Sequence, residues 1–226
     1  SAMVIRSNAD ISRIEDLKGK RVSTPQKGNS QDIALRHLMD RKGLGPKDRG
    51  GDIEIFNLAG GDQLTALWKG QVDAIWTVEP WVSRLVSEAN GKILFEEREL
   101  WPDGIYAAAL LVVRKKFMEL HPDRVQKWVD RHIQLINWMN RNKDQAMQIV
   151  NEELERETGK PLPLPYLNQC FERISFTYEP MESQVRESAS HAQAIGYLGR
   201  EPLDLEGLYE LRFLKEALKK MEKGNL

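Results

Sequence analysis

The chain has 226 residues, enough to bury a substantial core as one large domain or two smaller ones. Its 33 basic and 34 acidic residues leave a net charge of −1, which excludes the global positive field that recruits nucleic acid or an anionic membrane. The 41% hydrophobic content includes no run long enough to cross a bilayer, and the one cysteine, Cys170, excludes an internal disulfide and a cysteine-rich zinc site and is expected as a buried thiol.

The opening Ser1-Ala2-Met3-Val4-Ile5-Arg6 carries no initiator methionine, signal peptide or recognisable tag, and it reads as the interior of a longer protein cut inside an apolar strand. A strand over 2–6 is followed by a polar segment and a one-turn helix stopped by Gly19. The β-branched run Arg21-Val22-Ser23-Thr24 is broken by Pro25 and Gly28, and a helix over about 30–42 carries Ile33, Ala34 and Leu38 before Gly43 and Gly45 close it. Asn29 suits the N-cap, with Asp32 reaching back as in a capping box, or Ser30 caps instead. Either arrangement points backbone N–H groups and the positive end of a helix dipole out of the strand's carboxyl end, where an anion could sit without Lys or Arg. An ordinary capped helix start fits the same local sequence equally well.

Ile53-Glu54-Ile55-Phe56-Asn57-Leu58 is the next strand, and after the turn Ala59-Gly60-Gly61 the side chain of Asp62 is expected to cap a helix carrying Leu64, Leu67 and Trp68. A strand over 72–78 is nearly continuous in apolar residues, as one covered on both faces should be. Glu79-Pro80-Trp81 then opens a helix bearing Val82, Leu85 and Val86, and a short strand follows over 92–95. This alternation predicts a parallel or mostly parallel sheet, whose ligands sit beyond the carboxyl ends of its strands. The stretches 28–31 and 79–81 both fall at that edge.

A strong strand is expected over 107–114, and beyond His121 the chain reads as nearly all helix. Val125, Trp128, Val129, His132, Leu135, Ile136 and Met139 fall on one helical face, which makes His132 a core histidine. Helices are expected over 143–157, 167–174, 181–198 and 205–221, with an extended stretch at 176–180 and a charged, fraying end over 219–226. His37, His121, His132 and His191 show no metal-ligand spacing, and no cofactor motif appears.

The order of motifs resembles the substrate-binding proteins of ABC importers, of the aliphatic sulfonate, taurine and nitrate type. The resemblance rests on Asp16-Leu17-Lys18-Gly19-Lys20, Thr24-Pro25-Gln26, Gly28-Asn29-Ser30-Gln31-Asp32, Gly70-Gln71-Val72-Asp73-Ala74, Glu79-Pro80-Trp81 and Leu111-Val112-Val113-Arg114, and on Gly196-Tyr197-Leu198 near the end. Each motif is weak alone; their collinear order carries the match. It implies an α/β, type II periplasmic-binding-protein-like fold with one complete α/β lobe (lobe two) over 6–106. Residues 1–5 and 107–226 would then be hinge strands and the helix-rich part of lobe one. It further implies that roughly a hundred residues of lobe one precede this chain. Without them the helical half has apolar faces and no sheet to cover, so self-association or rearrangement is expected.

The same resemblance implies ligand contacts from Gly28, Asn29, Ser30 and Gln31, and from Glu79 and Trp81 on the facing loop, with Gln26 and Tyr106 as further lining. The N–H groups suit a sulfonate or nitrate, and Trp81 an alkyl or aryl part, unless it is a core or hinge aromatic. Glu79 repels an anion, which leaves it to bind a ligand's amine, to pair with Arg84 or Arg114, or to cap the following helix. The implied function is non-enzymatic delivery of a small anionic or zwitterionic ligand to a membrane permease, in a periplasmic or other extracytoplasmic setting. The alternatives are a ligand-sensing domain of a regulator and an enzyme like the thiamine pyrimidine synthases, whose Cys-rich motif this chain lacks.

Overall fold

Ala2, Met3, Val4 and Ile5 are all buried, because the strand they form is covered on both faces. In the computed structural model, which describes residues 1–199 and 201–223 without the side chain of Thr158, this strand lies inside a five-stranded sheet. Strands β1 (Ala2–Arg6), β2 (Arg21–Thr24), β3 (Glu54–Asn57), β4 (Ala74–Thr77) and β5 (Gly91–Glu96) run in the order β3-β2-β4-β1-β5. β2 is parallel to β3 and β4, whereas β1 is antiparallel to β4 and β5. The register sets Ser23 beside Ile75 and Ala2 beside Thr77.

The two-residue period of the strands sorts their side chains into two cores. Met3, Ile5, Val22, Ala74 and Trp76 pack with Leu35 and Met39 of helix α1 (Ser30–Arg41) and with Ile14 and Leu17 of a 3-10 turn. Ala2, Val4 and Ile75 pack on the opposite side with helices α2 (Gly60–Trp68) and α3 (Trp81–Glu88). Asp73 anchors the strand entry through Arg6 and Arg21, at 2.8 and 3.1 Å; burial opposes ionisation of its carboxyl, but the Arg21 contacts hold it below the usual carboxylate range.

The remainder is helical: α4 (Lys115–Leu120), α5 (Pro122–Arg141), α6 (Lys143–Thr158), α7 (Leu164–Arg173), α8 (Glu182–Ala194) and α9 (Arg212–Glu222). The chain divides into a first unit of residues 1–108 and 183–203 and a second of 109–182 and 204–226. β1 completes the first unit's sheet, and its side chains are buried in both of that unit's cores. In the second unit Ala146 and Met147 of α6 pack on Leu167 and Phe171 of α7. α5 is tied to α9 by Gln126 Nε2 donating to the Phe213 carbonyl at 3.0 Å and by Lys220 with Asp130 at 2.8 Å. Cys170 is buried on α7, as expected.

Several expected features differ. Residues 107–114 form no strand, because every strand among the described residues belongs to the first unit's sheet and none lies alongside to take their N–H and C=O groups. The apolar stripe of α5 is rotated: Val125, Ile133 and Ile136 are buried, while Trp128 and Leu135 are exposed. His132 stacks on Trp128 at 6.0 Å instead of entering a core. α9 begins seven residues late, because Gly207 takes φ +71 and breaks the pattern that Leu205 and Leu208 suggest. The expected fraying end continues past Lys223 into 224–226, which lie outside the described residues. Among the described residues no helix is long and apolar enough to cross a membrane.

Candidate functional site

In the first unit, the connection from β2 through α1 leads to β3 on one side, and that from β4 through α3 leads to β5 on the other. The crossovers part between the carboxyl ends of two adjacent parallel strands, the place where an open α/β sheet leaves a crevice. The turn over 25–29 and the turn over 78–80 flank that place. Both turns stand on the same sheet edge.

At the first turn Asn29 caps α1, its side-chain oxygen accepting from the Asp32 N–H at 2.9 Å. The Asp32 carboxylate does not return to Asn29 but accepts from the Gly28 N–H at 2.9 Å, which Gly28 can offer because it takes φ +79. Asp32 is fully buried and also accepts from Thr24 Oγ1 at 3.2 Å, from Arg36 Nε at 3.1 Å and from the Tyr197 hydroxyl at 2.8 Å. Arg36 is itself buried; desolvation works against its charge, and the Asp32 carboxylate more than restores it, raising the guanidinium's pKa. Asp48, at 3.3 Å, adds to the same effect. The negative charge beneath the turn is thus paired, and the N–H groups of Ser30 and Gln31 have no acceptor among the described residues. Ser30 and Gly28 are exposed, Asn29 is half-buried, Gln31 is buried, and Gln26 is exposed with its carbonyl accepting from the Asn29 N–H.

At the second turn Glu79 caps α3: its carboxylate oxygens accept from the Ser83 N–H and the Ser83 hydroxyl, both at 3.0 Å. Capping is thus among the roles that Glu79 fills. Trp81 packs its indole on the backbone of Gly60, where a Cβ would overlap the ring. The Arg84 guanidinium lies 4.9 Å from the ring centroid, held there by Glu88 at 2.7 Å. Gly60 and Gly61 open α2, so a further helix N-terminus reaches this edge; Asp62 stands inside the helix and is not its cap, which is Ala59. Sequence reasoning missed this contact, and its one signal was the Gly60-Gly61 pair directly after a strand. It also missed Arg36 and Tyr197, whose partners lie in other parts of the fold.

Tyr106 reaches the same edge from beyond β5. Its hydroxyl accepts from the Ser1 amine at 2.9 Å and its ring stacks on Trp101 at 5.9 Å, and burial pushes its pKa up. Among the described residues no group of His, Cys, Asp and Glu could hold a metal ion.

Residues 3–152 match the model of the NMT1-like family. A Bacillus subtilis protein named for binding aliphatic sulfonates is 24% identical over 227 residues, covering 99% of this chain and 64% of its own length. The taurine-binding periplasmic protein of Escherichia coli is 31% identical over 125 residues, covering 55% of this chain and 36% of its own. Among solved structures, a Methylobacillus flagellatus protein named for periplasmic sulfonate binding aligns with a TM-score of 0.72 at 20% identity, covering 98% of this chain and 66% of that one. The desulfurization enzyme DSZB aligns at 0.67 with 17% identity, covering 97% and 76%. The mixed α/β architecture is thus that of the type II periplasmic-binding-protein-like fold, and the chain spans about two thirds or less of the curated relatives' length. With a family match over well more than half of its residues, the chain belongs to the NMT1-like family.

Proposed function

We propose that the chain is the larger part of the solute-binding component of an ABC import system, working outside the cytoplasm with a membrane permease and binding a small anionic or zwitterionic ligand. The first unit would be lobe two and the second unit part of lobe one. The observation that carries this reading is the pair of uncommitted N–H groups of Ser30 and Gln31 at the carboxyl edge of β2, above a carboxylate already neutralised by Arg36. In this reading a sulfonate or nitrate accepts from those groups and from the Ser30 hydroxyl, with Asn29, Gly28 and Gln26 shaping the rim. Trp81 offers the free part of its ring to an alkyl substituent, Tyr106 lines the edge farther along, and Glu79 attracts a ligand ammonium such as that of taurine.

No catalytic step is assigned. The fold also serves a desulfurization enzyme, but the turns after β2 and β4 contain neither cysteine nor histidine, and Cys170 is buried on α7. The exposed apolar segment ahead of α5 suits self-association of this chain.

Thermal-shift titration with ethanesulfonate, taurine, nitrate and a thiamine-pyrimidine precursor tests the reading. A ligand at about a hundred times its Kd should stabilise the protein by about 2.7 kcal/mol. A rise in Tm with one of the anions is expected. If none of them raises it while a larger uncharged apolar ligand does, the reading is wrong.

A further inference from the structure

The chain leaves the second unit at residue 182, returns to the first for residues 183–203, and leaves it again. Within this excursion α8 is followed by a turn at Gly196, with φ +78, that brings Tyr197 to the start of α1. The Tyr197 hydroxyl donates to Asp32 Oδ2 at 2.8 Å, the same oxygen that accepts from the Gly28 N–H at 2.9 Å. The ring edge also lies beside Gly28, where a Cβ would stand 3.9 Å from Tyr197 Cε2. Two guanidiniums flank the ring, Arg36 at 6.0 Å and Arg49 at 5.7 Å, and Arg49 donates to the Ile195 carbonyl at 2.6 Å.

A buried carboxylate needs several donors, and its orientation follows whichever donors are fixed. Arg36 Nε approaches both Asp32 oxygens at 3.1 Å and so does little to choose between rotations of the carboxylate. Thr24 fixes one oxygen, and Tyr197 fixes the other. We infer that Tyr197 is a positioning residue for the 28–30 turn: by fixing Asp32 Oδ2 it holds the Gly28 N–H inward, and so aims the Ser30 and Gln31 N–H groups together. The consequence for ligand affinity rests on the anion reading above; the consequence for turn geometry does not. Burial, then the Asp32 carboxylate, raises the phenol's pKa, which keeps the hydroxyl a donor throughout the working range.

The test uses the 226-residue chain and follows the amide resonances and hydrogen exchange of Gly28, Ser30 and Gln31, first without ligand and then on titration with ethanesulfonate. Tyr197→Phe keeps the ring and removes the donor. Arg49→Ala loosens the excursion from outside without touching the buried carboxylate. In ligand-free protein both variants should shift the Gly28 resonance and speed its exchange, Tyr197→Phe by about tenfold, the scale of one hydrogen bond to a charged group. Ethanesulfonate affinity should fall by a similar factor in Tyr197→Phe and by less in Arg49→Ala. Unchanged Gly28 exchange in both variants overturns the inference, whatever the ligand does. Wild-type Ser30 and Gln31 resonances that no anion moves overturn the anion reading instead, and leave the exchange result to decide the role of Tyr197.

Discussion

Glu79 has its carboxylate committed to the first turn of α3, with one oxygen on the Ser83 N–H and the other on its hydroxyl. A carboxylate in a cap keeps its charge, so it can still attract a cation brought to the helix start. A role in capping alone and a role in ligand choice then separate cleanly. Glu79→Gln keeps much of the cap and removes the charge. Taurine and ethanesulfonate differ by an ammonium group, so the substitution should weaken taurine about threefold to tenfold and leave ethanesulfonate unchanged or slightly tighter. Calorimetric titration of both ligands checks this; equal loss for the two would reduce Glu79 to a structural cap. Arg84 offers no competing anchor for the sulfonate while it lies over Trp81 and is paired with Glu88.

α8 docks on α1 through a stacked pair of imidazoles, His191 on His37, with ring centroids 3.9 Å apart and the Trp101 ring 5.5 Å from His191. Desolvation lowers both pKa values below the ordinary 6.5; Arg41 also depresses His37, and for His191 the neighbouring His37 is the next cause. Asp40 and Glu187 act the other way without reversing the result. Because the folded-state values lie below the unfolded ones, the unfolded chain takes up protons first as pH falls. The stabilising effect is therefore complete above about pH 6.5 and declines as pH falls through that value. Urea midpoints of the chain at pH 8 and pH 5.5 should differ in that direction, and His191→Gln should flatten the dependence; an unchanged slope would mean the pair contributes nothing. Sequence spacing could not show this contact, because residues 37 and 191 meet only through the return of the chain. By contrast α1 was legible in a local run of turn and cap residues, with Asn29 as one of two candidate caps, although Asp32 turns its carboxylate to Gly28 and not back to Asn29. The strand expected over 107–114 shows the limit from the other side: its composition suits a sheet, but a strand is defined by its neighbour, and composition does not reveal whether a neighbour exists. The α5 stripe was misplaced for a related reason, since the face that is buried depends on where α9 lies.

At the scale of the molecule, the two units differ in how their apolar residues are grouped: the first exposes them singly, as at Trp68 and Leu198, and the second exposes a run of them. The sheet of the first unit has core on both faces, whereas the second unit exposes a continuous run of Leu110, Leu111, Val112 and Val113, followed by Phe117 and Leu120 on α4. Val112 is 83% exposed and Leu120 64%, and the 110–113 run contains no charge before Arg114. A contiguous apolar surface of this kind favours association, and the net charge of −1 gives little repulsion to keep two copies apart. Sedimentation velocity across a hundredfold range of concentration should therefore show reversible association that added salt does not weaken, because the attraction is apolar and not ionic. Val112→Lys with Leu120→Lys should shift the distribution toward the monomer and lower the binding of an apolar dye, with the cores of the first unit untouched. Association that persists in the double variant, or that disappears in salt, would place the contact elsewhere and make it electrostatic.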